Sequence, residues 1–291
     1  MIIESKTNYV FLAEGLGHYM PLCMNLIHAL NSEGIPVSFL PGTKSKKHVW
    51  ARDYMPIQLS ESTFLRYTYN PDYLKGHEEY IPHYKGIDED LELNCTCTDI
   101  VLDGGNAIKC GHKVIMTDKI LMENNARYKR DELMAKLEEL FDAEIVLIPW
   151  DRHDEYGHAD GMVRYIEGDK VLLNNYADFD PYLRKRLLEA LTPHFDVEEL
   201  HYGSSCLSKY SWAYINFLQT EKSIFVPGLR IKEDLLAMEQ IQNSYPNHKV
   251  IMIDECQNLV NDGGALNCVS WNILTDNQFF KNTQCNAYDR R

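Results

Sequence analysis

A cysteine near the C-terminus and three acid-bearing segments have the residue types needed to attack a planar cation. Cys268 stands in the run Asp-Gly-Gly-Ala-Leu-Asn-Cys-Val-Ser that begins at Asp262. The other segments are Trp-Ala-Arg-Asp ending at Asp53, Asp-Gly-Gly-Asn beginning at Asp103, and His-Ala-Asp-Gly beginning at His158. A thiolate is a strong nucleophile, histidine transfers protons, and carboxylates pair with a guanidinium through two parallel hydrogen bonds. These residues therefore predict nucleophilic chemistry at a guanidinium carbon.

Composition narrows the class of protein. The chain has 291 residues, 45% of them hydrophobic and 25% charged, as in an ordinary globular protein. A net charge of −14 argues against a nucleic-acid surface, which would be basic. No segment approaches the ~20 apolar residues of a membrane helix, and the start of the chain lacks signal-peptide features. We therefore expect a single catalytic domain over 1–291, cytoplasmic and not bound to membranes.

The cysteines do not predict a disulfide framework or a metal site. Eight cysteines in a chain of this length are expected to be mainly reduced and buried as small hydrophobic residues. Cys95 and Cys97 are separated by one residue, and neither a second pair nor a histidine cluster completes a zinc site. We expect no structural metal and no cofactor.

The sequence contains a repeat. Polar turns between short apolar runs predict β-hairpins, three of them centred on Lys113, Lys170 and Lys222. Ten residues before these lysines stand Asp103, Asp160 and Trp212. Asp53 and Asp262 precede similar runs and complete a set of five anchor positions at nearly regular intervals along the sequence. Such intervals are typical of a propeller or solenoid. Chance similarity among hairpins of an α/β protein is the alternative explanation.

Amphipathic helices and short strands are predicted between the hairpins. The predicted helices cover 19–31, 128–141, 181–190 and 232–243, and the strands that follow them cover 36–40, 144–149, 197–201 and 249–253. The unit is thus hairpin, helix and strand, present about five times, with the first and last copies split by the termini. Segment 70–94 has no helical period and is predicted to be a long loop that replaces one helix and forms a lid.

Equivalent positions in a ring of repeats lie at equivalent heights around its axis, so the acids at 53, 103, 160 and 262 are expected to converge on one cavity. Trp50 could stack on a bound cation. His158, two residues before Asp160, would lie on the same face if this segment were a strand. It would protonate departing ammonia and then deprotonate the attacking water.

These segments resemble the agmatine deiminase and bacterial-type peptidylarginine deiminase family of guanidine-modifying enzymes. The matching stretches cover 50–56, 102–106, 157–161, 213–217 and 263–268. The resemblance implies the pentein fold, an α/β architecture that forms a five-bladed β/α propeller with a pseudo-five-fold repeat. It also implies a cofactor-free enzyme with a small cationic guanidino substrate, and it is compatible with a homodimer.

The resemblance also suggests roles for single residues. Cys268 matches the nucleophile, His158 the general acid and base, and Asp53 and Asp160 the carboxylates that bind the guanidinium. Substrate-pocket positions are matched by Trp50, Asp103 and Asn216. The chain departs from the family where Asp103 replaces a glutamate, which we expect to alter recognition of the far end of the substrate. It departs again at 265–267, where a Gly-rich run with Ile-His is usual.

The predicted reaction is hydrolysis of a guanidino compound to a ureido product and ammonia through a covalent Cys-thiouronium intermediate. The first expectation is agmatine conversion to N-carbamoylputrescine, in putrescine and polyamine biosynthesis. A deiminase of free or peptidyl arginine and an amidinotransferase would use the same Cys, His and Asp residues and remain alternatives. A non-enzymatic binder of cations is the third class, and the nucleophile at Cys268 argues against it.

Overall fold

Five three-stranded sheets make up the architecture of the computed structural model, which describes residues 1–203 and 208–276. In each sheet the central strand pairs antiparallel with one neighbour and parallel with the other. The strands are β1 Tyr9–Ala13, β2 Val37–Leu40, β3 Ile57–Gln58, β4 Phe64–Thr68, β5 Cys95–Val101, β6 Ile108–Cys110, β7 Lys113–Thr117, β8 Glu144–Ile148, β9 Val163–Tyr165, β10 Lys170–Leu173, β11 Asp196–Glu199, β12 Leu218–Gln219, β13 Ser223–Pro227, β14 Lys249–Ile253 and β15 Ser270–Ile273.

Helices connect the strands or precede them. Within the described residues they are α1 Leu22–Ser32, α2 Ala51–Tyr54, α3 Tyr84–Asp90, α4 Lys119–Asn124, α5 Arg130–Phe141, α6 Tyr176–Phe179, α7 Pro181–Leu191, α8 Ser208–Ile215, α9 Glu233–Ser244 and α10 Gln257–Asn261. None of the helices in these ranges is long and apolar enough to cross a membrane.

The five sheets confirm the predicted five-bladed pentein propeller. The blades are β15-β1-β2, β3-β4-β5, β6-β7-β8, β9-β10-β11 and β12-β13-β14. The first blade joins the two ends of the chain, with Phe11 opposite Trp271 in the antiparallel pair. In the parallel pairs the chain passes through a helical connection, because parallel neighbours need a crossover. The prediction that the termini split one unit is therefore also confirmed.

The crossover helices follow from their apolar spacing. In α5 the residues Leu133, Leu137 and Phe141 recur every four positions, are buried and form one face. α7 begins with a proline, and the side chain of Asp180 caps it by accepting a hydrogen bond from the Leu183 backbone N–H at 2.9 Å. The burial of these helices against their strands forms the core of each blade.

The 70–94 segment differs in part from its prediction. It contains the short α-helix α3, which a segment rich in Tyr, Pro and Gly concealed, because seven residues give too little periodicity to detect. Buried Asp88 of α3 binds the guanidinium of buried Arg66 on β4, and the Tyr84 ring lies 4.9 Å from that guanidinium. This ion pair attaches the segment to the second blade.

Asp88→Ala should lower the free energy of unfolding by about 3–5 kcal/mol, because it leaves the Arg66 guanidinium buried without its carboxylate. Denaturant unfolding measures this change. The exposed Asp90, two residues along the same helix, supplies the control, and Asp90→Ala should change stability by less than about 0.5 kcal/mol. Equal effects of the two substitutions would contradict the assigned attachment.

Candidate active site

The turn that leads into the first strand of each blade holds the polar residues of the site. Asp53 lies in α2 before β3, Asp103 before β6 and Asp160 before β9. Asn216 directly follows α8 before β12, and Cys268 lies two residues before β15. A propeller brings equivalent turns to one end of its axis, so residues distant in sequence meet there.

This arrangement corrects two of the five repeat anchors. Trp212 and Asp262 were predicted to be equivalent to the acids, but Asn216 and Cys268 occupy those places in the fifth and first blades. Asp262 instead lies at the rim, where it accepts a hydrogen bond from the Tyr19 hydroxyl at 2.7 Å and pairs with Lys46 at 2.8 Å. The turns differ in length between blades, so a fixed offset from the hairpin misplaces the anchor.

Cys268 is buried among polar groups of the fourth and fifth blades and of its own turn. Its Sγ lies 3.3 Å from Asn216 Oδ1 and 3.7 Å from Asp160 Oδ2. The Cys268 backbone N–H also donates to Asn216 Oδ1 at 3.3 Å, so this amide fixes both ends of the residue. Asn267, which sequence reasoning did not select, donates from Nδ2 to Asp160 Oδ2 at 2.7 Å and holds that carboxylate beside the sulfur.

His158 lies between two carboxylates. Its Nε2 is 2.8 Å from Asp103 Oδ2, and its Nδ1 is 3.6 Å from Asp53 Oδ1. The segment is a 3-10 turn over Ala159–Gly161 and not a strand, so the predicted reason for placing His158 beside Asp160 is wrong. The two residues meet because the turn bends around the axis. Asp103 also contacts the Tyr73 hydroxyl at 3.3 Å, and its role at the substrate pocket stays a prediction.

Burial and mutual attraction shift the protonation of this group. Burial raises the pKa of Asp53 to about 7, against the opposing pull of the His158 cation. Burial alone would lower the pKa of His158, but Asp53, Asp103 and Asp160 outweigh it and raise that pKa to about 10. The site therefore holds an imidazolium at neutral pH.

The thiol of Cys268 is held in its protonated form. Burial raises its pKa well above the usual value, and the nearby carboxylates of Asp160 and Asp53 raise it further. A cation that enters between these carboxylates would reverse the second effect. The geometry thus favours formation of a thiolate only when a positively charged ligand is bound.

Two chambers reach the sulfur. The first, here called the lid chamber, has a volume of about 330 Å³ and is lined by Trp50, by Asp53 and by Tyr73, Leu74, His77 and Tyr80 of the 70–94 segment. The second, the side chamber, has a volume of about 580 Å³ and is lined among others by Asp160, Asn174, Tyr176, Trp212 and Asn216. Cys268, His158, Tyr156 and Glu155 border both. The 70–94 segment therefore lines one of the two chambers, and its role as a lid stays a prediction.

Neither chamber has an arginine or lysine in its lining within the described residues. Glu155 is exposed at the mouth of both chambers and forms no ion pair within ranges 1–203 and 208–276. The site therefore offers negative charge both at its base and at its entrance. No group of three His, Cys, Asp or Glu in these ranges is arranged to hold a metal ion.

Two glycines permit the close packing of this site. A Cβ on Gly105 would lie 2.8 Å from Asp53 Oδ1 and 2.9 Å from His158 Nδ1. A Cβ on Gly264 would lie 2.0 Å from Cζ3 of Trp50. Only glycine lets the backbone approach these groups, and each glycine therefore fixes the position of a side chain that faces the ligand.

Gly264→Ala should displace the Trp50 ring and weaken binding of a guanidinium compound at least about tenfold, since the ring forms one wall of the lid chamber. Isothermal titration calorimetry measures the affinity. Gly161→Ala is the matched control, because a Cβ there meets nothing within 4 Å. Unchanged affinity in the Gly264 variant would remove Trp50 from the binding wall.

The chain matches a known protein family over most of its length. The Porphyromonas-type peptidyl-arginine deiminase family matches residues 7–273. A protein of Lactococcus lactis subsp. lactis (strain IL1403), provisionally named an agmatine deiminase, is 21% identical over 214 residues. That alignment covers 59% of this chain and 57% of the relative, so the chain matches little more than half the length of that protein.

Solved structures share the fold over almost the whole chain. The C. jejuni agmatine deiminase superposes with a TM-score of 0.74 at 19% identity and covers 94% of this chain and 95% of its own. The agmatine deiminase of Enterococcus faecalis superposes with a TM-score of 0.74 at 16% identity, over 93% and 94% of the two chains. At such low identity these likenesses concern the fold.

Proposed function

The chain belongs to the Porphyromonas-type peptidyl-arginine deiminase family, and we propose that it is a cysteine-dependent guanidine deiminase that converts agmatine to N-carbamoylputrescine and ammonia. The observation that carries this proposal is the meeting of Cys268, His158, Asp53 and Asp160 at one end of the propeller axis. Agmatine is the substrate that the charges of the site favour.

The base of the site is suited to a guanidinium. Asp53 and Asp160 lie on either side of the His158–Cys268 region, and each has carboxylate oxygens that can accept from a guanidinium. Asn267 fixes Asp160, and the Gly105 backbone N–H donates to Asp53 Oδ1 at 3.2 Å. Both carboxylates are thus oriented before the ligand arrives, which reduces the entropic cost of positioning it.

The first half-reaction forms a bond from Cys268 Sγ to the guanidinium carbon. The cationic substrate favours ionisation of the thiol, and the thiolate attacks the carbon held between the carboxylates. The His158 imidazolium gives its proton to the departing nitrogen, the carbon–nitrogen bond breaks, and ammonia leaves. The product is a thiouronium cation attached to the cysteine.

The second half-reaction returns the enzyme to its starting state. His158, now neutral, takes a proton from a water that attacks the thiouronium carbon. The carbon–sulfur bond breaks, the hydroxyl proton of the intermediate passes to the leaving sulfur and restores the thiol, and the carbon keeps the oxygen as a ureido group. The proton that the thiol lost to solvent in the first half-reaction converts the released ammonia to ammonium. One water is consumed and one ammonia is released over the whole cycle, and no oxidant or cofactor is needed.

The entrance favours agmatine over free arginine. Both compounds end in an ammonium group, but arginine also carries a carboxylate on the same carbon. Glu155 at the mouth of both chambers would attract the ammonium, and no arginine or lysine lines the chambers within the described residues to pair with a carboxylate. A carboxylate brought beside Asp53 and Glu155 would be repelled.

Ammonia release from agmatine, free arginine and an arginine-containing peptide tests the choice of substrate. We expect kcat/KM for agmatine to exceed that for arginine by about 100-fold or more, which corresponds to about 2.7 kcal/mol. Glu155→Gln should raise KM for agmatine several-fold and narrow this ratio, because it removes the charge at the mouth. A preference for arginine would reject agmatine as the substrate, and inactivity on all three compounds would reject the deiminase proposal.

Cys268→Ala should abolish turnover, by about 10⁴-fold or more, and retain agmatine binding, because the carboxylates that bind the guanidinium remain. Steady-state kinetics and calorimetry measure the two quantities separately. Cys256→Ala, at a buried cysteine distant from the acids in sequence, controls for the general effect of removing a thiol. Turnover that persists in the Cys268 variant would exclude it as the nucleophile.

The pH dependence of kcat/KM should be bell-shaped. Asp53 must be ionised to bind the guanidinium, so kcat/KM rises with pH through about 7. His158 must be protonated to release ammonia, so kcat/KM falls above about 10. Asp103→Asn removes the carboxylate on Nε2, lowers the pKa of His158 and should move the basic limb to lower pH. A basic limb that stays in place would show that Asp103 does not control His158.

The acceptor of the second half-reaction is tested by product analysis. An amidinotransferase would form a new guanidine from an added primary amine, whereas a deiminase forms only the ureido product. We expect no amidinated amine when agmatine is turned over in the presence of a large excess of glycine or a diamine.

A further inference from the structure

A buried basic cluster lines a cavity whose lining does not include Cys268, His158 or the three acids of the site. Its members are Arg52 of α2, Lys109 of β6 and Arg164 of β9, and each is at least nine-tenths buried. Together with Glu4 they line this small cavity of about 20 Å³, large enough for one small ion or water. Nothing in the mechanism above uses this cavity.

Glu4 is the one acidic side chain in the lining of this cavity among the described residues. Lys109 Nζ lies 3.0 Å and Arg52 Nη1 3.4 Å from Glu4 Oε1. Burial alone would raise the pKa of Glu4, but the three cations outweigh it and lower that pKa to about 2. Glu4 is therefore held as an anion, and the three cations that act on it outnumber it in the lining of this cavity.

Arg164 has no acceptor for its donors. Its guanidinium forms no hydrogen bond or ion pair with any residue in 1–203 or 208–276, and its Nη2 is buried without a partner. Its one described stabilising contact is with the Phe217 ring, 4.7 Å from Cζ. A buried guanidinium without an acceptor is strongly unfavourable, because it loses its hydration and gains nothing in return. This side chain therefore points to a ligand that accepts hydrogen bonds.

Each cation already engaged in the cluster has its own fixed partner. Arg52 donates to Asn272 Oδ1 and, at 3.4 Å, to the Asn267 carbonyl, in addition to its pairing with Glu4. Asp160 attracts Arg164 through space from the layer above, but it forms no hydrogen bond with it. The uncompensated positive charge of the cluster and the N–H donors of Arg164 that lack acceptors thus lie on the same side of the cavity.

We propose that this cavity binds a single small anion of the halide class, held by Arg164 and Lys109. Its small volume favours a monatomic anion over phosphate, sulfate or a carboxylate, and its charge favours an anion over water. Glu4 and the buried Oδ1 of Asn267 also face this region, so the anion is expected to sit toward Arg164, away from both oxygens. The site is separate from the proposed deiminase chemistry and stands or falls independently of it.

Thermal unfolding of the full chain tests the proposal. Sodium chloride is titrated against sodium gluconate at constant ionic strength, since gluconate is too large for the cavity. The unfolding midpoint should rise with chloride and saturate, by roughly 5 °C once chloride is at about one hundred times its dissociation constant. Arg164→Met should abolish the saturable rise. Lys185→Met, on the outer face of α7 with its side chain 75% exposed, should keep it.

Crystals grown in bromide give a second measurement that needs no variant. We expect an anomalous peak within about 3.5 Å of Arg164 Nη2 and Lys109 Nζ. If Arg164→Met does not fold, this peak alone decides the question. Identical midpoints in chloride and gluconate, together with no anomalous peak, would show that the cavity holds only water and would overturn the proposal.

Discussion

The burial of three carboxylates around one imidazole is the constraint on which the site depends. Asp53, Asp103 and Asp160 cannot all be ionised in a space closed to water unless cations compensate them. His158 supplies one positive charge and is held by two of the acids. The remaining charge can be met by protonation of Asp53, as its raised pKa indicates, or by a ligand. A planar cation is the ligand that replaces a proton and satisfies several oxygens at once.

The same constraint controls the nucleophile. The acids that attract a guanidinium also disfavour a second negative charge on Cys268, and burial adds to that effect. A bound cation offsets both the repulsion by the acids and the effect of burial. Ionisation of the sulfur is therefore linked to occupation of the site. The free protein thereby keeps its thiol protonated and less reactive toward other electrophiles, and reactivity appears with the substrate.

The fold and most of the polar groups of the site could be predicted from the sequence, because structural repeats are recognisable from the regular spacing of similar segments. Hairpin turns at regular intervals predicted five blades, and the acids at 53, 103 and 160 stand where those turns require. The anchors at Trp212 and Asp262 were wrong because turn lengths vary between blades. Asn267 was missed because an amide before a cysteine has no motif of its own, and only its 2.7 Å contact with Asp160 reveals its place.

The interactions that support the acids were out of reach for a different reason. Arg52, Lys109 and Arg164 are single cations in unremarkable positions along the sequence, and Glu4 belongs to a terminal segment with no pattern. Each of these charges becomes important only when the fold buries it close to the others, where dielectric screening is weak. Charge along a closed ring is a property of the assembled blades, so pairwise spacing in the chain carries no information about it.

The buried acids and the buried cations of the site form two layers, an acidic layer and a basic layer. Three blades each supply an acid from the entering turn and a cation close by in the chain: Asp53 with Arg52, Asp103 with Lys109, and Asp160 with Arg164. Asp53 and Asp160 line the chambers that reach the thiol, whereas the three cations line a separate cavity. When Asp53 is ionised, the four acids including Glu4 balance the four cations including protonated His158. A substrate cation disturbs this balance by one positive charge, and loss of the Cys268 proton restores it. Overall neutrality, however, does not satisfy the donors of Arg164, because a hydrogen bond needs an acceptor within about 3 Å and the acids of the other layer lie beyond that reach. The substrate cation thus compensates the charge of the acidic layer. The donors of the basic layer are satisfied by an acceptor small enough to enter the cavity beside Arg164.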